Sequence, residues 1–345
     1  MLSVSLLTRL LICSNWMRHC RSKYVRQQGL PCDFKCSHLN CTLETRHSKL
    51  ITRNSKLTTH FQIVYLHCTM NAAELILNPD GSIYHLNILP EDVAPTVILV
   101  GDPGRVAKVS NFFDTIDVIK QKREFITHTG WFNQQRITVI STGIGTDNID
   151  IVLNELDALV NVDLNSRLPK EKLTSLNLIR IGTSGSIHPD VYTSDIVVTG
   201  IAIGSDILGM YYPHLPYDHQ LLPSWSYLTT RHDFNLKNFP EPYKEGITLT
   251  CPGFYGPQGR IIRAPLDYDI PIEELHEIEI DGLPFMNLEM ESSAIYLLAQ
   301  ILGHKAISFN DILAERLGGK FSGKSGKSIE VLIHATLKWI TSLEG

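Results

Sequence analysis

From about Met70 onward the chain alternates short apolar runs with stretches of helical spacing. Thr96-Val97-Ile98-Leu99-Val100 is unbroken and β-branched, and predicts a strand buried on both faces. It runs into Gly101-Asp102-Pro103-Gly104-Arg105, after which a helix is predicted to about Phe113. Residues 136–141 predict a second strand, closed by Thr142-Gly143-Ile144-Gly145. Ile149, Val152, Leu153, Leu156, Leu159 and Val160 then recur at helical spacing. Residues 176–181 predict a third strand, ending before Gly182-Thr183-Ser184-Gly185-Ser186; residues 196–203 and 306–313 predict two more. Residues 329–340 form the closing amphipathic helix. Buried strands ending in Gly-rich turns, with helices between them, predict an α/β fold around a central sheet. Ligands in such folds gather beyond the carboxyl ends of the strands, where these turns fall. Residues 204–246, rich in Pro, Tyr and His and weak in pattern, are expected to carry loops over the site.

The first 69 residues differ from the rest. They hold ten of the 31 Lys and Arg but only two acids, Asp33 and Glu44, a formal +8 against −13 for residues 70–345. Six of the seven cysteines, Cys13, Cys20, Cys32, Cys36, Cys41 and Cys68, also precede Met70, leaving Cys251 in the body. The body therefore reads as a cytoplasmic protein of a reducing compartment, without a disulfide framework. The leader has no sustained period, and residues 6–12, interrupted by Thr8 and Arg9, are too short to cross a membrane. Cys32, Cys36, His38 and Cys41 lack the paired spacing of a zinc site. The expectation is a disordered basic leader, or upstream sequence ahead of a true start at Met70, followed by one domain over 70–345. The net charge of −5, with no basic stripe in the body, argues against nucleic acid as the main partner.

Three segments bring Arg side chains to turns. Gly101 to Arg105 offers backbone N–H groups at a helix start together with Arg105. Arg180-Ile181-Gly182-Thr183 sets a cation and a hydroxyl three residues apart, and Lys122-Arg123-Glu124-Phe125 adds another Arg. Singly, each is more often a turn, a snorkelling cation or a solvated charge run; together they suit a dianion such as phosphate. Phe254-Tyr255-Gly256-Pro257-Gln258-Gly259-Arg260 gathers an aromatic ring, an amide and a guanidinium. Such a set stacks on a planar base, and its donors and acceptor match a uracil edge. Asn287-Leu288-Glu289-Met290-Glu291-Ser292 puts two carboxylates on one side of an extended strand end. A carboxylate there accepts two sugar hydroxyls at once. The plainer reading of the same acids is a solvated cap on the helix that follows.

Taken in order, Gly-Asp-Pro-x-Arg, Arg-Glu-Phe, Ser-Thr-Gly-Ile-Gly, Arg-Ile-Gly-Thr-Ser-Gly, Phe-Tyr-x-x-Gln-x-Arg and Glu-Met-Glu-Ser resemble the nucleoside phosphorylase-I family, and most nearly its uridine-cleaving members. The resemblance covers about Ile83 to the C-terminus. It implies a single three-layer α/β/α domain with a central mixed, partly barrel-like sheet flanked by helices. It implies phosphorolysis of uridine to uracil and ribose 1-phosphate in nucleoside salvage. Gly101, Arg105, Arg123, Arg180 and Thr183 would bind phosphate, with Arg123 reaching across a subunit interface. His85, Glu289, Met290 and Glu291 would bind ribose, His85 again from a partner subunit. Phe254, Gln258 and Arg260 would hold the base. Arg105, Arg180, Glu291 and Arg260 would carry catalysis by charge, without a covalent intermediate. The resemblance implies no cofactor beyond the co-substrate phosphate, and a homo-oligomer built from dimers, possibly a hexamer. Some relatives hold a monovalent cation through the acid matching Glu124; Asn148 replaces a Ser of that cluster, so none is expected here.

One position separates pyrimidine from purine cleavage. Purine-type members use an Asp three residues before the Arg matched by Arg316, where this chain has Leu313. Asp311 lies two residues earlier and would share a face with Leu313 in a regular strand. Glu315 stands where uridine-cleaving members commonly carry Asn, and would partly offset Arg316. The alternatives are a purine nucleoside phosphorylase or a nucleosidase of the same family. A Rossmann-like dinucleotide or methyl-donor binder fits poorly, because no Gly-x-Gly-x-x-Gly follows the first strand.

Overall fold

The β-branched run Thr96–Val100 forms strand β1 and is buried throughout. After it come β2 (Thr115–Lys122), β3 (Phe125–Phe132), β4 (Gln135–Ser141), β5 (Asn177–Ser186) and β6 (Ile196–Gly204). Strands β7 (Lys244–Thr250), β8 (Leu283–Glu289) and β9 (Lys305–Glu315) complete the main sheet. Helices α1 (Pro103–Ser110), α2 (Thr146–Asn161), α3 (Ser292–Leu302) and α4 (Ser325–Ile340) cover it. This computed structural model describes residues 41–49, 60–68, 70–268, 270–322 and 325–343. In the leader, Cys41–Lys49 pairs antiparallel with His60–Cys68, Cys41 opposite Cys68. The rest of the leader, with Cys32, Cys36 and His38 of the weighed zinc set, lies outside the described residues.

The strands run in the order β6-β7-β8-β5-β1-β4-β3-β2, and β9 pairs with both β5 and β6. Strands β5, β9, β6, β7 and β8 therefore close into a ring, while β1, β4, β3 and β2 continue as an open sheet. Alternation on β1 builds the layers. Val97 and Leu99 pack with Ile149, Val152 and Leu153 of α2 and Ile295 and Leu298 of α3. Ile98 and Val100 join Val106 and Val109 of α1 and Leu332, Ile333 and Trp339 of α4. Each such fully buried side chain contributes roughly 1.5–3 kcal/mol. The result is the expected α/β/α sandwich with a sheet partly closed as a barrel.

Strand β5 is the hinge of the design and departs from the sequence pattern. The Gly-rich stretch Gly182–Ser186 does not end it; the strand continues to Ser186 because β9 stays paired with it that far. On its other edge, Asn177–Arg180 pair with β1, whereas Gly185 and Ser186 pair with β8. The change of partner opens a gap beside Arg180 and Thr183. Helix α1 is shorter than predicted, because the chain turns into β2 as Asp114 N–H donates to the Trp131 carbonyl at 2.7 Å. The segment 204–246 does not cover the site as expected. Two of its large side chains, Tyr227 and Phe239, are core formers: Tyr227 packs beside Gly204 and Gly209, and Phe239 stacks on Phe309 beneath Trp339. Among the described residues no helix is long and apolar enough to cross a membrane.

Candidate active site

A cavity of about 950 Å³ opens where the carboxyl ends of β1, β4, β5 and β8 converge. Gly101, Arg105, Arg180, Thr183, Phe254, Gln258, Arg260, Glu289, Met290 and Glu291 all line it, although the chain separates the first from the last by nearly two hundred positions. His85 and Arg123 do not line it. His85 is held by Glu155 of α2, whose Oε1 lies 2.7 Å from Nδ1 and also accepts from the His85 backbone N–H. Arg123 is exposed in the tight β2–β3 turn with φ 54°. Its neighbour Glu124 does reach the cavity wall.

One end of the cavity is built for an anion. Asp102 caps α1 by accepting from Gly104 N–H at 2.9 Å, which sets the helix start beside Gly101 and Arg105. Arg105 donates to the Ile181 carbonyl at 3.1 Å. Burial pulls its pKa below the usual guanidinium value, and the charge of Arg180 adds to this. Two desolvated cations so close favour a negative ligand between them.

The centre is a buried ion cluster. Arg180 Nη2 donates to Glu291 Oε2 at 2.6 Å and lies 3.1 Å from Glu289 Oε2, while Nη1 donates to Asn310 Oδ1 at 2.7 Å. Burial alone would lower the Arg180 pKa, but the two carboxylates outweigh it and the net direction is upward. Burial raises the Glu291 carboxyl, with Glu289 pushing the same way and Arg180 opposing. Both acids are buried, so the solvated-cap reading fails, yet capping is half right. Glu289 accepts from the backbone N–H groups of Glu291 and Ser292 and from Thr250 Oγ1 at 2.6 Å, and so caps α3. Glu291 accepts from Gly145 N–H at 2.8 Å and lines the cavity. Glu289 is thus the strut and Glu291 the carboxylate on offer.

The far end is aromatic and cationic. The Arg260 guanidinium stacks 3.9 Å from the Phe254 ring centroid and donates to the Phe254 carbonyl and to Gln258 Oε1. Burial, with Arg316 alongside, pushes the Arg260 pKa down to about 10. Arg316 donates to the Gln258 carbonyl at 2.8 Å. Glu315 does not neutralise Arg316: its carboxylate accepts from Thr193 N–H at 3.1 Å and faces Lys320 at 3.3 Å.

Asp311 and Leu313 do not share a face. The β5–β9 register skips at this point, Ile312 opposing Ser184 and Ala314 opposing Gly185, so Leu313 is the extra residue of a β-bulge. Leu313 lines the cavity, whereas Asp311 turns to α4 and accepts from Ser328 Oγ at 2.7 Å. Sequence reasoning missed Asn310, the buried partner of Arg180, which nothing in its local pattern marks. It also gave no role to Ser184, though that residue stands inside a quoted motif.

Chemically, the cavity offers cations for an anion, a carboxylate for hydroxyls or developing positive charge, and a stacking amide-and-guanidinium pocket for a planar ring. The sequence family described as "Phosphorylase superfamily" matches residues 95–320. The chain is 29% identical over 270 residues to a uridine phosphorylase of Thermococcus kodakarensis, spanning 76% of this chain and 87% of that one. It is 25% identical over 225 residues to a DeoD-type purine nucleoside phosphorylase of Listeria monocytogenes, spanning 65% and 83%. Its structure is similar, with TM-score 0.66 and 28% identity over 76% of this chain and 99% of the other, to a Trypanosoma brucei nucleoside phosphorylase with uridine phosphorylase activity. Motifs, barrel topology, cavity and matched length agree, and the chain belongs to the phosphorylase superfamily.

Proposed function

We propose that this protein is a uridine phosphorylase, a pentosyltransferase that cleaves uridine with inorganic phosphate to uracil and ribose 1-phosphate. The observation that carries the reading is one cavity lined by three kinds of group: Arg105, Arg180 and Thr183; Glu291 and Met290; and Phe254, Gln258 and Arg260. The three sets suit phosphate, ribose and base. Phosphate attacks the anomeric carbon while the glycosidic bond to the base breaks. Phosphate and Glu291 favour the positive charge growing on ribose, and Arg260 favours the negative charge on the departing uracil. Each well-placed donor is worth roughly 3 kcal/mol. Leu313 rather than Asp311 on the cavity wall supports a pyrimidine over a purine, since Leu offers no proton to a purine nitrogen.

His85 and Arg123 belong to a neighbour's site in this reading, which makes the enzyme a homo-oligomer of dimers. The reaction needs no cofactor, and the cytoplasm is its place. The decisive assay is uracil release from uridine with and without phosphate, run beside inosine. Uracil formed only with phosphate is expected. Hypoxanthine release would make the enzyme a purine phosphorylase, and phosphate-independent cleavage would make it a nucleosidase.

A further inference from the structure

Strand β9 runs beside β5 along the anion end of the cavity. In their parallel register Ser308 opposes Arg180 and Asn310 opposes Gly182. Gly182 has no side chain, so the Arg180 guanidinium lies over it and comes within reach of Asn310. Nη1 donates to Asn310 Oδ1 at 2.7 Å and lies 3.4 Å from Ser308 Oγ. The amide nitrogen of Asn310 donates to Thr199 Oγ1 at 3.2 Å and to Ser308 Oγ at 3.3 Å. A guanidinium only donates, so the amide must turn its oxygen to Arg180, and these two hydroxyls receive its NH₂. Asn310, Ser308 and Thr199 are wholly buried.

The two arms of the guanidinium are held differently. Nη2 donates to Glu291 and lies 3.1 Å from Glu289, so one cation already faces two buried carboxylates. Arg105, close enough for its charge to act on Arg180, brings the four groups to a net charge of zero. Nη1 is held by a neutral amide instead. A carboxylate of the same shape would grip it more tightly, because hydrogen bonds between ionised groups are the stronger ones. It would also make the cluster net negative where a dianion has to enter, and repulsion between like charges is large in a poorly solvated site.

We propose that Asn310 is a positioning residue for phosphate: it fixes the second arm of the Arg180 fork without adding negative charge, so that the cluster still accepts an anion. The proposal rests on reading the cavity as a nucleoside phosphorolysis site with Arg180 at its phosphate end. Asn310 itself does not line the cavity and acts only through Arg180.

The test is steady-state kinetics of purified full-length enzyme with phosphate and uridine varied separately, beside calorimetric titration of inorganic phosphate alone. Asn310→Ala frees one arm of the fork and is expected to raise KM for phosphate by roughly three- to tenfold. Asn310→Asp keeps the shape and the acceptor but adds a charge, and should raise it by roughly ten- to a hundredfold. KM for uridine should move far less in both, because Nη2 and Glu291 keep their bond. The order of the two variants is decisive, since a residue that only held Arg180 in place would be replaced better by Asp than by Ala. Asp no worse than Ala overturns the proposal, as does an unchanged KM for phosphate in both variants while their melting temperatures fall. If Asn310→Asp does not fold, Asn310→Ala decides alone: a larger rise in KM for phosphate than for uridine supports the proposal, and equal rises overturn it. A wild type that binds phosphate in the calorimeter, with the same order of weakening in the variants, but releases no uracil overturns the reading of the substrate and leaves Asn310 its role. A wild type that neither binds phosphate nor cleaves uridine overturns both.

Discussion

Arg180 shows how much one residue is asked to do. It joins the anion end to the buried carboxylates of Glu289 and Glu291, and its guanidinium lies across Gly182. A Cβ at Gly182 would stand 1.8 Å from Arg180 Nη1. Gly182→Ala should therefore drive the guanidinium off Glu291 and Asn310 and reduce kcat/KM by about a hundredfold or more, since catalysis here depends on fixed donors. Phosphorolysis rates beside a far-ultraviolet spectrum of the folded variant would check it. Asp311 gives a second test. Its Oδ1 is buried without a partner among the described residues, and burial raises its pKa above the ordinary 3.8. A carboxyl raised on folding stabilises the fold when protonated; that contribution is full below 3.8 and is lost as pH rises through the raised value. Asp311→Asn keeps the Ser328 bond and cannot ionise. Its melting temperature relative to wild type should therefore climb as pH increases from 3.8 towards neutrality, while uridine cleavage persists. A pH-independent difference would contradict this, and loss of uridine cleavage would restore Asp311 to the site.

Helix α3 and strand β9 carry the arguments at the scale of elements. At the start of α3, Glu289 accepts from the Ser292 N–H and Thr250 Oγ1 from the Ser293 N–H, and Glu289 also orders the backbone of Glu291. Glu289→Gln keeps the shape but removes an acceptor and the charge that favours a helix N-terminus. Stability should fall by about 1–2 kcal/mol in urea unfolding. KM for the nucleoside should rise more than KM for phosphate, because Glu291 is the group displaced. On β9 the bulge at Leu313 does what a side-chain substitution would otherwise have to do. It lets Asp311 serve α4 and Leu313 serve the cavity from adjacent turns of one strand.

For the whole molecule the question is what lies beyond one subunit. His85 and Arg123 sit outside the cavity of their own chain. If a two-fold partner supplies them, each site mixes residues of two chains. Arg123→Ala and Arg180→Ala should then each be inactive alone. Co-expressed, they should recover about a quarter of wild-type activity, because half the dimers pair at random as hybrids with one intact site of two. No recovery from verified hybrid dimers would mean that Arg123 serves its own chain or none.

Local pattern was enough for the class of fold and for most of the cavity. Thr96–Val100 had to be a doubly buried strand, and the helical spacing from Ile149 had to make an amphipathic helix, because burial of apolar surface follows from period alone. Gly101, Arg105, Arg180, Thr183, Phe254, Gln258, Arg260 and the Glu-Met-Glu run were legible because their motifs, taken together and in order, resemble one family, although each alone fits a plainer reading. What local pattern could not reach was pairing between distant strands. It stopped β5 at Gly182, since a Gly-rich stretch looks like a turn unless a neighbour such as β9 holds it. It put Asp311 and Leu313 on one face, since a bulge exists only relative to a partner strand. It sent 204–246 over the cavity, though the fit of Tyr227 and Phe239 into the core sent the segment elsewhere. The buried bond from Arg180 to Asn310 had no sequence signature at all. The two lie 130 positions apart, and only closure of the barrel brings donor and acceptor within reach.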